Sequence, residues 1–144
     1  MDAENLTAII SSLNDRLTER LIALESEPDA ALAGLRWCWL ALGSEGRMEQ
    51  TLATDQDNAL IFAEADAAHR DALLAFALRV NHRLDACGFP LCRGGIMASN
   101  PQWCLSAAGW QQQFTEWIDH GTPEALLNAS IFFDFRPLAG DASL

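Results

Sequence analysis

The chain has 144 residues, half of them hydrophobic, and a formal net charge of -11. That length suits one compact domain with a core of its own, and the composition is neither collagenous, low-complexity nor disordered. So acidic a surface repels nucleic-acid phosphates, which argues against bulk nucleic-acid binding and suits a site that collects divalent cations.

All nine basic residues are arginine. Without lysine the chain cannot build a P-loop or do Schiff-base chemistry. Its four cysteines, Cys38, Cys87, Cys92 and Cys104, form no C-x-x-C pair and have no histidine at zinc-ligand spacing, so free thiols, most in apolar surroundings, are expected. The opening residues are acidic and lack the apolar core of a secretory leader. No apolar run is long enough to span a bilayer. A cytoplasmic location is the natural expectation.

In chain order, Leu6, Ile10, Leu13, Leu17, Leu21 and Leu24 recur at helical spacing and predict an amphipathic helix over about 4–26. A small, polar linker holding Pro28 follows. Leu35 to Leu42, "LRWCWLAL", reads as a strand, and Ala59 to Phe62 as a second. Asp66 can cap a helix striped by Leu73, Phe76, Val80, Leu84 and Cys87, stopped by Gly88. "FPLCRGGIMASNP" reads as a broken strand in which Gly94-Gly95 marks a turn. Asn100-Pro101 opens a helix carrying Trp103, Trp110, Phe114 and Trp117, whose period indicates core or interface rather than a base-stacking platform. Thr122-Pro123 restarts a short helix. "SIFFDFRPL", Ser130 to Leu138, reads as the last strand, ended by Pro137. Without a regular βαβ rhythm, this order predicts an α+β domain, a small mixed sheet flanked by helices, with its core over about 35–141.

The segment between the first two strands carries the chemistry. Gly43 lets a ligand approach the backbone closely, and Ser44 adds a hydroxyl where a helix can begin and present its amides to phosphate. Arg47 lies one turn further, a cation suited to phosphate oxygens. Asp55 and Asp57 enter the second strand two apart, on one face, where their mutual repulsion is relieved by a shared cation such as Mg²⁺. Gln56 and Asn58 point the other way and read as structural hydrogen-bonders. Asp134, within "IFFDF", is costly to bury bare. It is expected either to pair with Arg136 or to join the site with Arg136 beside it on the same strand face. His69, His82 and His120 read as solvated.

Gly43-Ser44, ten intervening residues and Asp55-x-Asp57 resemble the signature of the DNA polymerase beta-like nucleotidyltransferase superfamily. The longer "GSEGRMEQTLATDQDNALIF", with "CGFPLCRGGIMASNPQW" and "LLNASIFFDFRPLAGD", resembles the nucleotidyltransferase domain found beside CBS and cyclic-nucleotide-binding domains in bacterial signalling proteins, a relative of the PII-protein uridylyltransferases. The resemblance covers about Leu6 to Asp141 and implies the polymerase beta-like fold, with the chain, 1–144, as one domain of a larger multidomain protein. It implies Gly43, Ser44 and Arg47 on the nucleotide, and Asp55, Asp57 and Asp134 as catalytic and metal-binding carboxylates for two Mg²⁺ ions. The activity implied is transfer of a nucleoside monophosphate from an NTP to a hydroxyl of a protein or small molecule. Neither nucleic acid nor membrane is an expected partner, and exposed aromatics would favour a homo-oligomer. The alternative is a non-catalytic nucleotide-sensing or protein-interaction module. A metal-dependent phosphohydrolase would need a histidine-rich ligand set that the chain lacks.

Overall fold

The computed structural model describes residues 3–43 and 55–144. Its long helices are α1 (Ala3–Ser26), α2 (Ala67–Ala86), α3 (Ala107–His120) and α4 (Pro123–Phe133), and its strands are β1 (Trp37–Ala41), β2 (Asn58–Phe62), β3 (Cys104–Ser106) and β4 (Arg136–Gly140). The four strands form one sheet in the order β3-β2-β1-β4. β1 pairs antiparallel with both β2 and β4, whereas β3, reached through the α2 crossover, lies parallel to β2. The chain is therefore a mixed α+β domain, as the element order predicts.

Alternation along the two central strands explains why helices cover both faces. Trp39, Leu60 and Phe62 face Leu21 and Ile22 of α1 and Leu73, Phe76, Val80 and Leu84 of α2. Their strand neighbours Cys38, Leu40 and Ala59 turn the other way, towards Trp103, Trp110 and the partly buried Trp117, Ile131 and Phe132. This is the period of two that a pleated strand imposes. Burying a large side chain such as Phe76 contributes roughly 1.5–3 kcal/mol. Trp103 and Trp110 of the aromatic stripe are core, with Trp117 partly buried against them: Trp110 stacks on Phe132 at 4.3 Å and its indole N–H donates to the Leu60 carbonyl at 3.0 Å.

Local chemistry sets the boundaries. Asp66, Ser106 and Thr122 each accept a backbone N–H from the first turn of their helix, and Gly121 ends α3 in the left-handed conformation at φ 61°.

Four expectations need correction. Ser130 to Leu138 is not one strand: α4 runs through Phe133, Asp134 is its C-cap, and β4 starts at Arg136. An apolar run this short fits a helix or a strand equally well, and the Thr122 cap with Pro123 had already started a helix. Pro137 does not end the strand but sits within β4, an edge strand where its missing N–H is tolerated, beside a register shift between Trp39 and Leu40. Residues 89–100 form turns rather than a broken strand. Asn100-Pro101 does not open the aromatic helix: Asn100 caps a 3₁₀ turn (Pro101–Trp103), the third strand Cys104–Ser106 follows, and α3, which does not include Trp103, starts at Ala107 behind the Ser106 cap.

Candidate nucleotide and metal site

The β1–β2 ladder ends at the rung Ala41↔Asn58, and the Leu42 N–H prolongs it with a 3.0 Å bond to the Asp57 carbonyl. Beyond that rung lies Gly43, at φ +54°, where a side chain is strained. A Cβ built there would come within 3.0 Å of Asp57 Oδ2. The carboxylate therefore lies over a backbone position without a side chain, and these two predicted site residues are brought together. Ser44 and Arg47 fall outside the described residues.

Alternation then sorts the next residues as the sequence predicts. Gln56 and Asn58 are buried, while Asp55 is exposed and Asp57 half-buried. The buried amides do not stand alone. Gln56 donates its side-chain N–H groups to the carbonyls of Asn81 and Phe89, both at 2.9 Å. Asn81, on α2, donates to Gln56 Oε1 at 2.8 Å and to Asn58 Oδ1 at 3.0 Å. In return the backbone N–H groups of Ala98 and Ser99 donate to Asn58 Oδ1 and Asn81 Oδ1. Two backbone bonds, Gln56 N–H to the Pro90 carbonyl and Asn58 N–H to the Ile96 carbonyl, add to the same join. A satisfied buried network of this kind fixes geometry more than a single contact does. Here it fastens the 89–99 segment beside the strand entry that carries the two acids.

That segment delivers a residue whose role the sequence does not announce. The Cys92 sulfur lies 3.4 Å from Asp57 Oδ1. Burial, and after it the negative charge of Asp57, push the Cys92 thiol above its ordinary pKa of 9.0, so it is the protonated donor to that oxygen. Thirty-five residues separate the pair, and no spacing rule links them. Asn81 has a faint signal, a polar residue directly after Val80 in the apolar stripe of α2.

Asp134 arrives from the other side of β1. Arg136 pairs with Ala41, the residue that also pairs with Asn58, so Asp134 and Asp57 both lie just beyond the same rung, on opposite flanks of β1. Asp134 and Arg136 do not share a strand face, because Asp134 belongs to the helix end. Arg136 instead holds Asp15 of α1 through paired bonds of 2.9 and 3.1 Å, a fork-to-carboxylate geometry.

The donors at this end of the sheet are carboxylate oxygens, the set that suits a hard cation such as Mg²⁺. Among the described residues, no three His, Cys, Asp or Glu side chains are already gathered as a metal cluster. A cavity of about 460 Å³ opens at the far end of β2, lined by Phe62, Glu64, Arg70, Ser106 and Gly109, away from the acid pair.

The chain belongs to the family described as "Putative nucleotidyltransferase DUF294", whose model matches residues 1–124. The matched stretch includes Gly43, Ser44, Arg47, Asp55 and Asp57 and stops short of Asp134. No curated protein and no solved structure gave a significant match.

Proposed function

We propose that this domain is an Mg²⁺-dependent nucleotidyltransferase that moves a nucleoside monophosphate from an NTP to an acceptor hydroxyl, with the acid end of the sheet as its active site. One observation carries the reading: the Asp57 carboxylate lies over Gly43 at the end of the central strand pair, within a stretch matched by a nucleotidyltransferase family. Asp55 and Asp57 would hold the metal, with Asp134 as third carboxylate from the opposite flank of β1. Gly43 and Ser44 would let backbone amides approach the triphosphate, and Arg47 would meet its oxygens.

The acceptor oxygen attacks the α-phosphorus, the bond from that phosphorus to the bridging oxygen breaks, and pyrophosphate leaves. Asp134 is the candidate to take the acceptor's proton. Bound Mg²⁺ supplies charge neutralisation at the attacking and leaving oxygens. The rigid amide network behind Asp57 serves this chemistry by holding one carboxylate in place before substrate arrives. A PII-like protein is the acceptor class suggested by resemblance, and a signalling role beside regulatory domains follows from the same source.

A second reading is a nucleotide sensor without turnover. Calorimetric titration of ATP, UTP, GTP and CTP with Mg²⁺ tests both. One NTP is expected to bind in a metal-dependent way, and Asp55→Ala/Asp57→Ala to abolish it. Binding with no pyrophosphate release in the presence of candidate acceptors would favour the sensor. Unchanged binding by the double variant would remove the site.

A further inference from the structure

The acid end poses an electrostatic problem. A triphosphate must approach a molecule of net charge -11 at a place where carboxylates already stand. Most of its arginines are committed elsewhere. Arg36, Arg79, Arg83 and Arg136 form ion pairs with acids, and Arg70 donates to the Pro101 carbonyl. Arg16 and Arg20 lie exposed on α1.

Arg93 is placed differently. It follows Cys92, whose sulfur touches Asp57 Oδ1. The Gly95 N–H donates to the Cys92 carbonyl at 3.1 Å and closes a four-residue turn, with Arg93 and Gly94 at its exposed tip. Gly95, at φ +71°, takes the left-handed conformation at the end of that turn, and its carbonyl is held by the Asn100 side chain at 2.7 Å. The base of the turn is fixed to β2 through Pro90, Ile96 and Ala98, as described above. Among the described residues Arg93 has neither ion pair nor hydrogen-bond partner. The braced turn whose first residue touches the half-buried carboxylate thus carries a cation that has no ion pair among the described residues.

We propose that Arg93 is a phosphate-binding residue of this site, contacting the terminal phosphates of the incoming NTP from the Cys92–Gly95 turn. The inference rests on the nucleotidyltransferase reading of the acid end. Its chemistry is that of a guanidinium on a polyanion, indifferent to the nucleobase, so inorganic tripolyphosphate with Mg²⁺ is the appropriate probe.

Tripolyphosphate–Mg²⁺ binding is measured calorimetrically on the wild type, Arg93→Ala, Arg93→Lys, Arg20→Ala and Asp55→Ala/Asp57→Ala. Mn²⁺ binding without phosphate and the thermal midpoint are measured in parallel. Arg93→Ala is expected to weaken tripolyphosphate about tenfold or more, the size of one charge-assisted hydrogen bond, with partial recovery in Arg93→Lys. Mn²⁺ affinity and the midpoint should stay at wild-type values, and Arg20→Ala should bind as wild type. Wild-type affinity in Arg93→Ala, alongside loss in the double aspartate variant, would overturn the assignment of Arg93 and leave the acid site standing. An equal loss in Arg20→Ala would also overturn it, in favour of diffuse charge. Failure of the wild type to bind tripolyphosphate, or full binding by the double aspartate variant, would overturn the acid site and this inference with it.

Discussion

Gly43 and Asp57 show how a single absent side chain can shape a site. Gly43→Ala adds a methyl group within 3.0 Å of Asp57 Oδ2, on a backbone at φ +54° that L-residues disfavour by about 1–2 kcal/mol. The variant is expected to unfold a few degrees earlier and to lose Mn²⁺ affinity disproportionately. Thermal unfolding and metal titration on one sample check both, and unchanged metal affinity would mean the carboxylate is not held against Gly43. At this scale the sequence was partly legible. The period of two separated Asp55 and Asp57 from Gln56 and Asn58 without any structure. It could not bring Cys92 to Asp57, because contact between residues 35 apart depends on how a turn segment packs.

At the scale of elements, the joint between α2, β2 and the 89–99 segment adds a buried amide network to the apolar contacts of Phe89 and Ala98. Asn81 touches Gln56, Asn58 and Ser99, and its own exposure is 0%. Asn81→Leu would strand the Ser99 N–H and weaken the hold on Gln56. An expected cost of ~2–4 kcal/mol would lower the thermal midpoint by roughly 5–15 °C. Circular dichroism melts check this, and a wild-type midpoint would show the network to be dispensable. The helix starts at Asp66 and Thr122 and the two central strands were readable from local chemistry alone, whereas the Ser106 cap of α3 was not, because Asn100-Pro101 offers an equally good start nearby. The last strand was not, since "SIFFDF" has no period that separates helix from strand. Its α4 portion is decided by the cap at Thr122 and by packing of Ile131 and Phe132 against the tryptophans. That change moved Asp134 from a strand face to a helix end while keeping it at the same end of the sheet.

For the whole molecule, the α+β class followed from the irregular succession of helices and strands. The order β3-β2-β1-β4 did not, because the three residues of β3 give no pattern and the β4–β1 pairing spans most of the chain. One ion pair closes that span: Arg36, just before β1, holds Asp141, just after β4, at 2.8 Å. The Ser143 hydroxyl and then the Arg36 guanidinium hold the Asp141 carboxyl down at about 2, against an ordinary 3.8. A carboxyl depressed in the folded state adds stability above its unfolded pKa, and that stability is lost as pH falls through the folded value. Acid unfolding between about pH 4 and pH 2 should therefore be shallower in Asp141→Asn than in the wild type. Identical slopes would show that the clasp contributes nothing to folding.

The central claim is that metal and nucleotide meet at the end of the sheet where β1 gives way to Gly43 and β2 begins after Asp57. The most direct test is a titration of the ¹⁵N-labelled protein with substoichiometric Mn²⁺, following paramagnetic broadening of the backbone amides. Gly43, Asp55, Asp57 and the turn from Cys92 to Gly95 are expected to broaden first, while Glu64, Ala65, Ser106 and Gly109 at the far end of β2 broaden last. Broadening that begins at the far end, or no site-selective broadening at all, would contradict it.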